Sequence, residues 1–162
     1  MADNIKIRAL VVTVSDSRTE ADDVSGDTLA KLLSEIGAEI VERIIVSDDF
    51  ENLRQTLYVL TERDEANLIF TTGGTGFAPR DNTPEATRVV IEREAQGLAE
   101  AMRAETLKIT PTAMISRGVC GIRGKTLIIN LPGSPKGVRE CFEVIKPVLQ
   151  HAINQLAGNT KH

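Results

Sequence analysis

The sequence predicts an α/β fold: a three-layer sandwich with a mostly parallel central sheet and helices on both faces. Three observations carry this prediction. Short apolar runs alternate with amphipathic stretches of helical period, the order expected of βαβ units. Ala9-Leu10-Val11-Val12 is apolar at consecutive positions, as in a strand buried on both faces. Clusters of Gly, Ser and Asp directly follow the strand-like runs, at Ser15-Asp16-Ser17, Ser47-Asp48, Gly73-Gly74-Thr75-Gly76 and Pro132-Gly133-Ser134. In a parallel sheet all four would lie on one rim, beyond the carboxyl ends of the strands. No linker, internal repeat or low-complexity segment interrupts this pattern, and residues 1–162 read as a single domain.

A first strand is expected over residues 5–15. Leu29, Leu32, Leu33 and Ile36 then recur at i, i+3, i+4 and i+7, a helical stripe with Ser25 as its expected N-cap and Gly37 as its stop. Residues 40–46 form a second strand. Phe50, Leu53, Leu57 and Leu60 place a helix over residues 49–63, and residues 68–71 are the third strand. Thr83-Pro84-Glu85 reads as a helix start; the helix runs to Ile91, breaks near Gly97 and resumes to about Lys108. Gly118, Gly121 and Gly124 mark an irregular or hairpin segment before a strand at residues 125–131. The last helix starts at Ser134 with Pro135 in its first position, and Val138, Cys141, Phe142, Ile145, Leu149 and Ile153 form its stripe. Pro147 is expected to kink or interrupt it, because proline lacks the amide donor and clashes one turn back. Residues 158–162 read as a frayed tail.

Composition narrows the function. A chain of 162 residues, 41% hydrophobic and 26% charged, is long enough to bury a full core. Cys120 and Cys141 are widely spaced, which indicates neither a zinc site nor a disulfide framework; reduced thiols suit a cytoplasmic protein. No apolar run approaches the ~20 residues of a membrane span, and Met1-Ala2-Asp3-Asn4 has no secretory pattern. A net charge of -4, with one Tyr, four Phe and no Trp, supplies neither the basic face nor the stacking platforms of a nucleic-acid binder. A small anion can still bind, since local amides act at contact distance while remote charges are screened beyond ~8 Å.

The segment from Thr71 to Pro84 carries the strongest chemical signal. Gly73, Gly74 and Gly76 let backbone approach a ligand closely, so that successive N–H groups can point at one anion. Thr75 adds a hydroxyl, Arg80 a fork of donors, and Asp81 a carboxylate suited to a divalent cation on the same phosphates. Neither GxGxxG nor GxxxxGK[ST] is present, so neither a Rossmann dinucleotide site nor a P-loop is supported. Plain structural readings compete: a tight turn without ligand, Asp48 as a helix cap with Glu51 three residues on, Asp81 as a turn residue. Ser134 and Pro135 can serve as an ordinary N-cap and first position while also leaving N–H groups for a phosphate. Arg18, Arg80 and Lys136 can be solvated charges. His151, beside the last apolar stripe, and the terminal His162 are poor ligands or bases, and Cys120 reads as core.

Five ordered stretches besides the glycine turn extend the pattern: Val12 to Arg18, Asp22 to Gly26, Ile45 to Asp49, Thr110 to Arg117 and Asn130 to Lys136. Together with GGTG and the following RDNTPEAT, they resemble the molybdopterin-binding family that includes the MogA and MoaB proteins of molybdenum cofactor synthesis. The resemblance covers most of the chain. It implies Mg2+-dependent adenylyl transfer, in which the terminal phosphate of molybdopterin attacks the α-phosphate of ATP and releases pyrophosphate. By motif position it makes Asp48 and Asp81 the catalytic and metal-binding pair. It places substrate binding on Ser15, Asp16, Ser25, Gly73, Gly74, Thr75, Gly76, Arg80, Pro132, Gly133 and Ser134. It further implies a cytoplasmic homotrimer or hexamer, with contacts along residues 98–107, working beside a molybdate-insertion protein. The alternative from another class is a non-catalytic molybdopterin-binding carrier or scaffold of the MoaB type; a nucleotide-binding domain related to the competence-damage proteins is a third reading.

Overall fold

In the structure, a computed structural model that describes residues 3–160, the first apolar run is strand β1, Arg8–Val14. The chain continues through helix α1 (Val24–Glu35), strand β2 (Glu39–Val46), helix α2 (Phe50–Glu62) and strand β3 (Leu68–Thr72). Helix α3 (Thr83–Val90), strand β4 (Arg93–Glu94), helix α4 (Gln96–Leu107) and a 3-10 helix at Pro111–Ile115 follow. Strands β5 (Cys120–Arg123) and β6 (Thr126–Leu131) and helix α5 (Pro135–Leu156) complete it.

The sheet order is β2-β1-β3-β6-β5-β4. Its four strands β2, β1, β3 and β6 are parallel, and β5 and β4 extend it by antiparallel pairing. Alternate side chains of a strand point to opposite faces, and β1 feeds two cores. Ala9 and Val11 pack with Leu29, Leu33 and Phe142 beneath α1, α4 and α5, whereas Leu10, Val12 and Val14 pack with Leu53, Leu57 and Val90 beneath α2 and α3. The three-layer expectation holds because each apolar strand has a helical layer on either side.

Local departures have physical reasons. The cap of α1 is Asp23 rather than Ser25: its buried carboxylate accepts from Gly26 N at 3.0 Å and from the Thr13 hydroxyl at 2.8 Å. Asp49 caps α2, accepting from Asn52 N at 2.9 Å, which removes the capping role considered for Asp48. The break after α3 comes at Ile91, whose backbone is extended, because the next residues leave the helix to pair with β5; Gly97 lies inside α4. The glycine-punctuated segment is the β5–β6 hairpin, turning at Gly124 with φ +58°. Gly37 stops α1 as expected, at φ +78°, with Ala38 N bonded to Leu33 O at 3.0 Å.

Helix α5 runs through Pro147 without interruption, since Ile145, Leu149 and Ile153 are seated in the core on both sides of it. Nor does the chain fray at Gly158: Asn159 N donates to Asn154 O at 2.9 Å and its side chain to Asp3 O at 3.2 Å. The last two positions of the expected tail lie outside the described residues. Among the described residues, no helix is long and apolar enough to cross a membrane.

Within the core beneath α1, α4 and α5, Phe142 meets Phe70 of β3 with ring centroids 5.9 Å apart. Both rings are fully buried. Phe142→Ala is expected to cost about 3–5 kcal/mol, read as a lower urea midpoint with an unchanged m-value.

Candidate functional site

Strand order reverses between β1 and β3, since the chain moves from β1 outward to β2 and then crosses back to β3 on the other side. In open α/β sheets the crevice beyond the carboxyl ends of such strands is where ligands bind. Here the loop after β1 begins at Ser15, and the glycine turn begins at Gly73 after β3. Gly73 has φ +102°, and a Cβ there would lie 2.6 Å from Val14 O. A Cβ on Gly133 would lie 3.3 Å from Gly73 Cα, so the loops after β1, β3 and β6 touch backbone to backbone.

The glycine turn is held by its carbonyls. The Thr83 hydroxyl donates to Gly73 O at 2.9 Å and Thr83 N to Gly74 O at 3.1 Å. Arg117 N donates to Thr75 O at 2.8 Å, and Arg117 Nε to Gly76 O at 2.8 Å. A trans peptide points its N–H opposite to its C=O, and the described residues contain no cis bond. The amides of Gly74, Thr75, Gly76 and Phe77 consequently face away from these anchors, and among the described residues none of the four donates to a protein acceptor. That is a row of donors suited to an anion.

Gly74, Thr75 and Gly76 form one wall of a cavity of about 500 Å3, together with Asp81 and the Pro132-Gly133-Ser134 loop. The opposite wall comes from α4 and the 3-10 segment, including Met102, Arg103, Thr106, Ile115 and Ser116. The size falls in the range of small-molecule sites, roughly 300–1,000 Å3. Ser134 caps α5 by accepting from Gly137 N at 3.0 Å, so its expected capping geometry is present at the cavity edge. Cys141 also borders this space, but burial pushes its thiol up to about 11, and that of Cys120 to about 12, so neither is a nucleophile at neutral pH.

Asp16, Asp48 and Arg80 lie on the outer side of the same turn. Asp16 and Asp48 exchange hydrogen bonds, each backbone N donating to the other carboxylate at 3.0 Å. Arg80 grips Asp16 with Nε at 2.6 Å and Nη2 at 3.0 Å, which holds the Asp16 carboxyl below its ordinary range. Asp48 is pushed the other way, by burial first and then by the charges of Asp16 and Asp81. Asp81 accepts from Ala78 N at 2.9 Å, the turn interaction considered for it.

Three predicted residues are spent inside the protein. The Ser15 hydroxyl accepts from Ser17 N and Arg18 N; buried Ser25 donates to Gly133 O at 2.5 Å; Gly73 is a backbone spacer. Sequence reasoning missed Arg103 as a cavity residue, and Thr83 and Arg117 as the anchors of the turn. The only signal for Thr83 and Arg117 was membership of the stretches around Thr83-Pro84-Glu85 and Thr110 to Arg117, because no spacing rule links a residue to a carbonyl forty positions away; Arg103 had no signal beyond its place in a helix.

Comparison with known proteins agrees with this geometry. Residues 10–151 match the family described as probable molybdopterin binding domain. A molybdopterin adenylyltransferase of Helicobacter pylori is 40% identical over 153 residues, covering 92% of this chain and 87% of that protein. The Drosophila melanogaster molybdenum cofactor synthesis protein cinnamon is 46% identical over 92% of this chain, which spans only 25% of the fly protein. Among solved structures, the molybdopterin biosynthesis enzyme MoaB of Thermus thermophilus superposes with a TM-score of 0.87 at 45% identity, covering 94% of this chain and 97% of that one. With most of its length matched in sequence and in fold, the chain belongs to the molybdopterin-binding domain family of molybdenum cofactor biosynthesis.

Proposed function

We propose that this protein is a molybdopterin adenylyltransferase. The observation that carries the reading is the row of four unengaged amides of the glycine turn, three of whose residues line the cavity, with Asp81 beside it and Asp48 on its outer side. A site that joins two polyanions needs donors for phosphate oxygens and a way to neutralise charge that builds up as they approach. The phosphate of molybdopterin occupies the cavity and the ATP phosphates lie across the glycine turn towards Asp48. An oxygen of the pterin phosphate attacks the α-phosphorus; the bond to the β-phosphate oxygen breaks, and pyrophosphate leaves. No general base is needed, because a phosphate monoester is already ionised at neutral pH.

Mg2+ fits the residues present. Asp48 and Asp81 each spend one carboxylate oxygen on a backbone amide, and Oδ1 of each accepts no hydrogen bond among the described residues. No group of three acidic, His or Cys side chains close enough to hold an ion occurs among those residues. This ion takes one or two carboxylates and completes its shell with phosphate oxygens and water. Asp48 and Asp81 would hold it, and it would supply positive charge against the phosphates. We place the protein in the cytoplasm, as a homotrimer or hexamer that passes its product to a molybdate-insertion protein. Leu107 at the end of α4 and nearby Ile109, 43% and 56% exposed, offer apolar surface for contact between copies.

The deciding experiment adds molybdopterin to protein and MgATP and follows pyrophosphate. Mg2+-dependent release is expected; tight pterin binding without release would instead identify a carrier. Asp48→Ala and Asp81→Ala should each lower turnover by on the order of 100-fold or more, with unchanged circular dichroism. Asp49→Ala separates capping from chemistry: it should lose about 1 kcal/mol of stability and keep its activity.

Asp48 also gives a pH prediction. A carboxyl whose folded pKa is raised opposes folding once it ionises: the cost is absent below the unfolded value near 3.8 and complete above the raised one. Asp48→Asn should raise Tm at pH 7 by up to about 3 °C, with the gain fading as pH falls towards 4. A Tm difference that grows on acidification would contradict the assigned environment.

A further inference from the structure

Arg117 occupies a position that no role in substrate binding explains. It is not on the cavity wall, although its neighbours Ser116 and Gly118 are. Its guanidinium instead spans three groups behind the wall: Nε donates to Gly76 O at 2.8 Å, Nη2 to Asp81 O at 2.7 Å, and Nη1 pairs with the carboxylate of Glu85 in the first turn of α3. Its backbone N adds Thr75 O at 2.8 Å. One residue thus engages both ends of the segment from the glycine turn to Asp81, and the stretch that carries it leads directly from the 3-10 wall of the cavity.

We propose that Arg117 is a positioning residue for adenylyl transfer, fixing the direction of the Gly76 and Phe77 amides and the placement of Asp81 from behind. The proposal rests on the phosphate-binding reading of the glycine turn. The peptide units supply the mechanism. Because the carbonyls of Thr75 and Gly76 are drawn to Arg117, the following amides are turned to the opposite side. The carbonyl of Asp81 is drawn to the same guanidinium, which sets the distance between the amide row and the carboxylate next to it. Thr83 fixes the preceding two carbonyls in the same manner, so Arg117 completes a four-carbonyl anchor.

The planar fork is essential to this role. Arginine offers five donors in rigid geometry, whereas lysine is a point charge on a flexible stem. A cation that merely balanced Glu85 would be replaceable by lysine; an orienting fork would not. Glu85 in turn orients the fork: burial raises its carboxyl, but the hydrogen bond from Arg117, together with a backbone hydrogen bond and the charges of Arg117 and Arg88, holds it below the ordinary range.

The test uses the full chain as Arg117→Ala and Arg117→Lys, with two independent readouts. The first needs no ligand: backbone 15N relaxation of Gly74, Thr75, Gly76 and Phe77. Order parameters near ~0.85 in the parent are expected to fall below ~0.6 in both variants, while those of Phe70 and Ile128 stay unchanged. The second is the kinetics of pyrophosphate release. Turnover should drop by roughly 100-fold with KM for ATP and for molybdopterin within about threefold, since preorganised donors act chiefly on charge in the transition state. Lysine should restore melting temperature but not turnover. Rigid turn amides in both variants, or full activity with lysine, would overturn the proposal. If Arg117→Ala fails to fold, the lysine variant decides both readouts. If the parent itself releases no pyrophosphate, adenylyl transfer falls, and the relaxation measurement alone settles what Arg117 does.

Discussion

The organisation of this molecule depends on one constraint: four consecutive carbonyl oxygens, Gly73 to Gly76, are held from behind by Thr83 and Arg117. Without those hydrogen bonds, a turn with glycines at φ +102° and +67° would be free to rotate each peptide plane, and its amides would have no common direction. The sheet makes the anchoring possible. Parallel registration of β1, β3 and β6 brings Val14, Gly73 and Gly133 to the same level, close enough that a side chain at Gly73 would collide with Val14 O and one at Gly133 would press on Gly73. The fold therefore contributes to chemistry less by burying catalytic groups than by fixing peptide planes where strands end.

Electrostatics divides the site. The cavity side presents amides and the end of α5, which favour anions, whereas the outer side gathers Asp16 and Asp48, which repel them. Crowding on the acidic side is costly, and the raised pKa of Asp48 records it: burial first, then the charges of Asp16 and Asp81. Arg80 lessens it by pairing with Asp16, but the pair is largely exposed and contributes little to stability. Its effect is local, since it leaves Asp48 as the less compensated carboxylate of the two. The overall charge of -4 has no bearing on this arrangement, which is set within a few ångströms.

The sequence revealed what periodicity and turn chemistry encode. The two-sided burial of β1, the stripe of α1 and its Gly37 stop, and the placement of four Gly, Ser and Asp clusters on one rim were all legible because each depends on residues within one turn or one strand. The two-residue strand β4 was invisible, since its existence depends on β5 offering a partner and not on any pattern of its own. The choice between Ser25 and Asp23 as cap was decided by tertiary contact: Thr13 holds Asp23 from β1, while Ser25 is claimed by Gly133. Arg117 stands in a legible motif, but its anchoring role is not legible there, because its acceptors are set by the fold and lie 32 to 42 positions earlier in the chain.

The absence of the common nucleotide fingerprints follows from the same constraint. In a P-loop or a dinucleotide-binding turn, the phosphate amides belong to the first turn of a helix, and the helix itself orients them. Here α3 does not begin until Thr83, with Phe77 to Asn82 between it and the glycine turn. Helix geometry cannot orient amides that precede the helix by this distance, so orientation has to come from tertiary hydrogen bonds to the carbonyls. The intervening residues gain a role in return: they carry Arg80 outward to Asp16 and place Asp81 on the cavity wall. The loop after β6 repeats the principle with other residues. Gly133 O is held by Ser25 at 2.5 Å and by Arg18 Nη2 at 3.2 Å, which turns the Ser134 amide away from them, at a residue that borders the cavity. Two loops, each with an arginine at its carbonyl side, thus orient their amides by tertiary contact, and the segment freed from helical geometry is the one that brings the Asp81 carboxylate to the cavity wall.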